Sequence, residues 1–158
     1  MKYLVLDIDK TIIFNNAKKI DRKKVYKIQP RPHLFSFLNE MKKYYKLVIF
    51  TAGDEEYCNY VLDKIDKKKI YFKLKFSKND LKKKKKNLKF ICKNLSKIIH
   101  IDDKESFFSH KKNGIKIPPF LGNKNDNVLK ILKYMLVEIS QYKDLRKGVK
   151  EINKIINN

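Results

Sequence analysis

One stretch near the start of the chain, LVLDIDKTII at residues 4–13, indicates the fold. It begins as an apolar run that is typical of a buried β-strand. The run then meets two carboxylates, Asp7 and Asp9, with one residue between them. Because burying an unpaired carboxylate costs several kcal/mol, we expect both acids to lie at the end of the strand, where a cation can hold them.

Two later stretches repeat this arrangement. KLVIFTAG, residues 46–53, places Thr51 just after an apolar run, and KIIHIDD, residues 97–103, ends another run on Asp102 and Asp103. Amphipathic helical patterns separate these runs, which favours an α/β fold with a central parallel sheet and helices on both faces. Ligands of such sheets bind beyond the carboxyl ends of the strands, so these polar groups are predicted to share one edge.

The same periodicities predict the other elements. Residues 15–29 are expected to form a polar connection with a short strand near Val25 and Ile28, and residues 69–76 are expected to contain a strand. Further predicted elements are a helix that follows Pro30 and Pro32 and buries Leu34, Phe35, Leu38, Met41 and Tyr45, a helix carrying Leu88, Ile91 and Leu95, a short strand at 115–117, and two final helices around Val128–Ile139 and Leu145–Ile156.

Length and composition favour one soluble domain. The 158 residues are enough for one hydrophobic core, so we expect a single domain over 1–158. No apolar stretch approaches the roughly 20 residues that span a bilayer, and the first apolar run is not a signal peptide. Two cysteines fit a reducing compartment. We therefore expect an intracellular protein, nuclear or cytoplasmic, that is not bound to a membrane.

The net charge of +22 raises the question of a nucleic-acid partner. Only three of the 39 basic residues are arginine, whereas surfaces that recognise bases favour arginine for its bidentate geometry. The abundance of Asn and Ile beside Lys indicates coding from an AT-rich genome. We interpret most of the charge as a solvated surface that attracts phosphorylated substrates. A nucleic-acid partner is left open but is not favoured.

Four acids at one edge of a sheet, Asp7, Asp9, Asp102 and Asp103, would repel one another without a hard cation. Oxygen ligands with no cluster of His or Cys favour Mg²⁺. The two cysteines stand 34 positions apart and the histidines are scattered, which excludes a zinc site. The glycines match neither nucleotide-binding loop, and neither cysteine carries the downstream arginine of a cysteine phosphatase.

LVLDIDKT resembles the DxDxT signature of the haloacid dehalogenase superfamily. The chain further resembles the FCP/SCP-type phosphatases, which act on the C-terminal tail of RNA polymerase II. The resemblance implies a three-layer, haloacid-dehalogenase-like Rossmannoid fold with no large cap domain. It covers nearly the whole chain in the family's order, through PRPHLFSFL (30–38), VIFTAGDEEYCNYVLDKID (48–66), KNLKFICKNLSKIIHIDD (86–103) and NGIKIPPFLGNKNDNVL (113–129).

The resemblance implies catalytic roles for particular side chains. Asp7 would attack phosphorus and become an aspartyl-phosphate, while Asp9 would protonate the leaving oxygen and then activate water. Thr51 and Lys86 would bind the phosphoryl group, and Lys86 would also neutralise charge on Asp7. Tyr57 would contact the substrate. Considered singly, Thr51 is typical of a helix N-cap, Lys86 of a solvated basic run and Tyr57 of a core residue.

The resemblance also implies the metal ligands. Asp7, Asp102, Asp103 and the backbone carbonyl of Asp9 would hold Mg²⁺. The chain departs from the family's usual pattern at Lys10, where Glu is common, and at Asp103, where the smaller members have Asn. The connections at 15–29 and 69–85 are also shorter than usual, which leaves the identity of the substrate open.

The residues and the resemblance leave three alternative functions. The first is an Mg²⁺-dependent phosphatase of phosphoserine or phosphothreonine in a protein or peptide, with the RNA polymerase II tail as one candidate substrate. The second is a phosphatase of nucleic-acid ends or small phosphate esters. The third is a non-catalytic adaptor, similar to the mitochondrial import-receptor relatives of this fold, which the full set of candidate catalytic residues disfavours.

Overall fold

Residues 1–158 are described by a computed structural model, the side chains of residues 19 and 20 excepted. The strands are β1 (Tyr3–Leu6), β2 (Ile13–Asn15), β3 (Lys18–Ile20), β4 (Lys23–Val25), β5 (Ile28–Pro30), β6 (Lys46–Phe50), β7 (Phe72–Phe76), β8 (Ile98–Asp102) and β9 (Gly114–Lys116). The α-helices are α1 (Leu34–Met41), α2 (Glu55–Ile65), α3 (Val128–Ile139) and α4 (Leu145–Ile156).

A five-stranded sheet in the order β7-β6-β1-β8-β9 forms the centre of the fold. All neighbouring strands are parallel, and in the central strand Leu4 is in register with Leu47 on one side and Ile99 on the other. Parallel pairing brings the carboxyl ends of these strands to one edge. The predicted α/β class with a central parallel sheet is confirmed.

The two faces of the sheet are covered differently. Successive residues of a strand point to opposite faces. Leu4 and Leu6 pack in the larger apolar cluster, which contains the buried side chains of α1, α2, α3 and α4. Val5 belongs to a smaller cluster with Leu88 and with side chains of residues 81–95. Short 3₁₀ turns of that segment therefore cover the second face, so the prediction of α-helices on both faces is wrong for this one.

The predicted helix over residues 88–95 is wrong. The segment instead forms two 3₁₀ turns, Leu88–Phe90 and Leu95–Lys97. Asn87 and Asn94 precede these turns, and the side-chain oxygen of each accepts a hydrogen bond from a backbone N–H two residues later. Such local bonds compete with helix formation, so the apolar spacing here marks packing against the sheet and not an α-helix.

The prediction for α1 was partly wrong. The helix begins after His33, which has a left-handed backbone (φ 68°), and ends at Met41. Phe35 is 45% exposed and its place in the core is taken by Phe37. Tyr45 is buried as predicted, although it lies beyond the helix, and its hydroxyl donates a 2.6 Å hydrogen bond to the Leu136 carbonyl oxygen.

The segment between β1 and α1 is more regular than predicted. β2 pairs with β5, and β3 pairs with β4, as two nested antiparallel hairpins over residues 13–30. The strand expected within residues 69–76 is present as β7, which begins at Phe72. Within the described part of the chain, every helix is too short or too polar to span a bilayer.

Candidate active site

Asp7 lies at the centre of the carboxyl edge, directly after β1. The backbone N–H of Asp7 donates to the Ile101 carbonyl oxygen of β8, which fixes the start of the loop. One carboxylate oxygen, Oδ1, accepts a 2.6 Å hydrogen bond from Lys86 Nζ, and the other, Oδ2, accepts a 3.0 Å bond from Thr11 Oγ1. Burial raises the pKa of Asp7 to about 7, against the attraction of Lys86.

Lys86 connects two of the predicted acids. Its side chain is fully buried, and Nζ lies 2.6 Å from both Asp7 Oδ1 and Asp102 Oδ2. Burial disfavours the ammonium form, but the attraction of the two carboxylates is stronger, so the pKa of Lys86 lies above its usual value. The segment after Lys86 begins with a 3₁₀ turn at Leu88 and not with the predicted helix carrying Leu88, Ile91 and Leu95.

Asp102 ends β8 and Asp103 follows it. A carboxylate oxygen from each of Asp7, Asp102 and Asp103 lies within 4.8 Å of the others. Burial and the neighbouring Asp102 raise the pKa of Asp103. Three carboxylates against one ammonium leave an excess of negative charge, and an all-oxygen set of this kind fits a hard divalent cation such as Mg²⁺.

His100 lies beneath this cluster. It is buried, its ring packs edge-on against Phe108, and Nε2 is 3.3 Å from Asp102 Oδ2. That contact does not have the geometry of a hydrogen bond, so neither ring nitrogen has a hydrogen-bond partner among the residues that the structure describes. Burial lowers the pKa of His100, which favours the neutral ring. We interpret it as a packing residue below the acids.

Asp9 is held by Tyr57, which links the loop after β1 to α2. The Tyr57 hydroxyl donates a 2.5 Å hydrogen bond to Asp9 Oδ1 and accepts a 3.1 Å bond from Asn15 Nδ2. Burial raises the pKa of Asp9, and the Tyr57 bond opposes this. The ring of Tyr57 can approach because residue 53 is glycine, where a Cβ would lie 2.8 Å from Tyr57 Cδ1.

Thr51 follows β6 and lies at the same edge of the sheet. Its side chain is buried, and Oγ1 accepts a 3.0 Å hydrogen bond from the Gly53 backbone N–H. The N-cap of α2 is Asp54, whose Oδ1 accepts a bond from the Tyr57 N–H. Thr51 is therefore not the helix cap that its type alone favours.

Sequence reasoning missed Arg31. Its side chain is buried, and Nε and one terminal nitrogen each donate a 2.8 Å hydrogen bond to the Asp126 carboxylate. The guanidinium also donates to the Thr11 carbonyl oxygen at 3.1 Å and to the Pro118 carbonyl oxygen at 3.0 Å. The one available signal was its residue type, an arginine flanked by prolines in a chain whose cations are nearly all lysine.

Comparison with known proteins identifies the family. The family model described as NLI interacting factor-like phosphatase matches residues 2–146. The chain belongs to this family. The expectation of an FCP/SCP-type phosphatase is thereby confirmed at the level of the family.

The curated relatives of the chain include proteins named for the nuclear envelope. CTD nuclear envelope phosphatase 1 of Xenopus laevis is 28% identical over 170 residues, which cover 92% of this chain and 70% of that protein. Nuclear envelope morphology protein 1 of Schizosaccharomyces pombe is 28% identical over 154 residues, which cover 85% of this chain and 32% of that protein.

Solved structures support the fold. The fission yeast RNA polymerase II CTD phosphatase Fcp1, bound to beryllium fluoride, matches with a TM-score of 0.66 at 22% identity. A second Fcp1 structure matches with a TM-score of 0.65. Each match covers 99% of this chain, which spans 55% and 54% of the two solved chains. The haloacid-dehalogenase-like fold is confirmed.

Proposed function

We propose that this chain is an Mg²⁺-dependent protein phosphatase that hydrolyses phosphoserine or phosphothreonine through an aspartyl-phosphate on Asp7. The observation that carries the proposal is the buried Lys86 ammonium, which lies 2.6 Å from Asp7 and from Asp102 at the carboxyl edge of the sheet. Phosphoryl transfer depends mainly on positioning and on charge neutralisation, and a fixed ammonium beside the reacting carboxylate supplies both.

In the first step an Asp7 carboxylate oxygen attacks phosphorus and the bond from phosphorus to the seryl oxygen breaks. Asp9 gives its proton to that leaving oxygen. In the second step Asp9 takes a proton from water as the water oxygen attacks phosphorus, which releases Asp7 and inorganic phosphate. The raised pKa of Asp9, due mainly to burial, favours the protonated form that the first step needs.

Other residues would orient the phosphoryl group. Lys86 neutralises its charge together with that of Asp7, and Thr51 donates a hydrogen bond to a phosphoryl oxygen. Thr11 holds the second Asp7 oxygen from 3.0 Å, which limits rotation of the nucleophile. Tyr57 orients Asp9 by the 2.5 Å hydrogen bond between them, and it would contact the substrate beside Asp9.

The acidic cluster supports a magnesium site. Asp7, Asp102, Asp103 and the backbone carbonyl of Asp9 would hold the ion, because their oxygens match the ligands that Mg²⁺ prefers and their charges need a counter-ion. When bound, Mg²⁺ would withdraw electron density from the phosphoryl oxygens and so stabilise the charge that develops there.

The proposal of a phosphoprotein substrate rests on the relatives, which are named as CTD phosphatases. The RNA polymerase II tail is one candidate substrate. The nuclear envelope names of several relatives favour a location inside the cell, nuclear or cytoplasmic. A single domain over 1–158 is supported by α4, which extends past the family match and packs against β8 and β9.

An activity panel tests the proposal. The protein is assayed with a phosphoserine peptide, a 3′-phosphorylated oligonucleotide and a small aryl phosphate, each with Mg²⁺ and with a chelator. We expect hydrolysis of the peptide and of the aryl phosphate that requires Mg²⁺. A preference for the oligonucleotide would favour the nucleic-acid alternative instead.

Asp7→Asn is the matched variant, because it removes the nucleophile with almost no change in volume. It should abolish hydrolysis while circular dichroism and the melting transition remain those of a folded protein. A folded wild type that hydrolyses none of the three substrates would favour the adaptor. Retention of a tenth of wild-type turnover by the folded variant would rule out the aspartyl-phosphate.

A further inference from the structure

Alternating lysine and tyrosine side chains lead away from Asp9. The Lys24 ammonium lies 5.2 Å from the centre of the Tyr26 ring, and the Tyr26 ring lies 5.0 Å from that of Tyr57. The Tyr57 hydroxyl in turn contacts Asp9 at 2.5 Å. β4 supplies Lys24 and the loop after it supplies Tyr26. The inner hairpin, β3 and β4, therefore borders the site.

The same surface continues along α2. The Tyr26 ring lies 5.3 Å from the Tyr60 ring, and the Lys64 ammonium lies 5.5 Å from the centre of the Tyr60 ring. We call the side chains of Lys24, Tyr26, Tyr57, Tyr60 and Lys64 the lysine–tyrosine strip, in which Tyr57 is buried, Tyr26 and Tyr60 are half-buried and the two lysines are exposed. It runs from the candidate general acid to the exposed side of α2.

The charges at both ends of the strip are available to a partner. Lys24 and Lys64 are exposed, and neither forms an ion pair with a carboxylate among the residues that the structure describes. Each ammonium instead lies over an aromatic ring, which restrains a flexible side chain and still leaves its N–H donors free. Lys10 adds a third exposed ammonium beside Asp9.

We propose that the lysine–tyrosine strip binds the chain that flanks the phosphorylated residue and selects substrates with carboxylate or phosphate groups in that flank. This inference rests on the phosphoprotein phosphatase proposed above and adds the substrate class. Charge complementarity supports it, because the exposed Lys24 and Lys64 ammonium groups lack a carboxylate partner among the described residues, and acidic groups of a peptide would supply one. The aromatic rings provide apolar contact for the side chains between the charges.

The distance from Asp9 to Lys24 limits where in the peptide the acidic groups must lie. The contacts that lead from Asp9 through Tyr57 and Tyr26 to Lys24 are each 5.2 Å or shorter. An extended peptide advances about 3.3 Å per residue, so Lys24 can meet groups within about five residues of the phosphoserine. The direction of the bound chain decides whether these residues precede or follow it.

Steady-state kinetics on matched phosphopeptides tests this inference. One peptide has neutral flanks, one has three glutamates before the phosphoserine, one has three after it, and one carries a second phosphoserine. A small aryl phosphate, which carries no flanking chain to contact Lys24 or Lys64, is measured in parallel. We expect one acidic flank to raise kcat/KM over the neutral peptide at low salt, with a smaller increase at high salt.

Lys24→Gln should lower kcat/KM for the favoured peptide by about two- to fivefold, the size typical of one exposed ion pair. Lys24→Gln with Lys64→Gln should lower it further, and Lys24→Arg should retain it. Each loss is measured relative to the rate of the same variant on the aryl phosphate, because the Lys24 ammonium also lowers the pKa of Asp9. Lys147→Gln is the matched control, since Lys147 is an exposed lysine on α4, which packs against β8 and β9 at the other side of the fold.

The outcomes separate this inference from the proposed function. If no substrate is hydrolysed, the aryl phosphate included, the phosphatase itself is wrong and the inference falls with it. If all peptides and the aryl phosphate are hydrolysed but acidic and neutral flanks give equal kcat/KM, only the inference is overturned. An equal loss of kcat/KM in Lys24→Gln and Lys147→Gln would attribute the effect to overall charge and would contradict the inference. A preference for a phosphorylated oligonucleotide would also contradict the inference.

Discussion

Lys86 is buried, whereas the four lysines that precede it, residues 82–85, carry the same charge and are exposed or half-buried. Lys82 and Lys85 exchange backbone hydrogen bonds across a tight turn, in which Lys83 and Lys84 have positive φ angles of 48° and 60°. That turn directs Lys83 and Lys84 into water. The Lys86 N–H then donates to the Phe107 carbonyl oxygen, and the Lys86 side chain turns inward. Backbone pairing therefore distinguishes Lys86 from the rest of the run.

Lys86→Ala should lower turnover by roughly 10²-fold or more, of the order seen on removal of one preorganised donor. The reason is that the buried ammonium contacts Asp7 directly, whereas Lys84 is exposed. Lys84→Ala should mainly raise KM, and salt should diminish the effect. Kinetics of both variants at low and high salt, with circular dichroism to verify folding, provide the measurement. Equal and salt-sensitive losses in the two variants would contradict the role of Lys86.

At the scale of elements, Arg31 joins three parts of the chain. It follows β5, it donates to the Thr11 carbonyl oxygen in the loop after β1, and it binds Asp126 just before α3. The Phe120 N–H adds a bond to the Lys10 carbonyl oxygen in the same loop. Because Lys10 and Thr11 directly follow Asp9, this network fixes the backbone that carries both candidate catalytic acids.

Arg31→Lys should lower the free energy of unfolding by roughly 1–3 kcal/mol, because lysine keeps the charge but cannot reproduce the bidentate contact and leaves buried acceptors without donors. Arg146→Lys is the matched control. Arg146 makes a similar bidentate contact with Asp144, but both side chains are about a third exposed, so the cost should be below about 1 kcal/mol. Urea unfolding measures both. Similar losses in the two variants would contradict a structural role for the buried pair.

At the scale of the molecule, an acidic centre lies within a strongly basic protein. The chain carries a net charge of +22, while Asp7, Asp102 and Asp103 meet around one ammonium. The positive surface attracts anions toward the sheet edge from a distance. Ionisation of Asp7 and Asp103, whose pKa values are raised mainly by burial, would lower the stability of the fold when no cation is bound.

Stability without metal should therefore depend on pH through Asp7. Its pKa rises from 3.8 unfolded to about 7 folded, so its contribution to stability is full below about pH 4 and is lost as the pH rises through 7. The free energy of unfolding of wild type in a chelator should fall relative to Asp7→Asn over this interval. Mg²⁺ should restore it, with a larger rise in melting temperature at pH 8 than at pH 5.

Thermal melts of wild type and Asp7→Asn across this pH range, with and without Mg²⁺, measure both effects. Asp63→Asn, an exposed acid on α2, serves as the control and should leave the Mg²⁺ shift unchanged. An Mg²⁺ shift that is the same at both pH values, or that persists in full in Asp7→Asn, would contradict the site.

Periodicity and motif order predicted much of the fold and most members of the site. The apolar runs that end in Asp7, Thr51 and Asp102 indicated a parallel sheet, because such runs fit strands buried on both faces. The helix expected over residues 88–95 failed, since its spacing reflects packing of short turns against the sheet. Spacing alone cannot distinguish these two arrangements.

The sequence by itself determined the sheet, the edge at which its polar groups gather and the acids that gather there. The resemblance singled out Lys86, but only the tertiary structure decided how the run turns that lysine inward, that Tyr57 holds Asp9, and that Arg31 fixes the loop after β1. The physical reason is that apolar periodicity records burial along one element. Contacts such as Lys86 to Asp7, Tyr57 to Asp9 and Arg31 to Asp126 join positions far apart in the chain, and no local pattern encodes them.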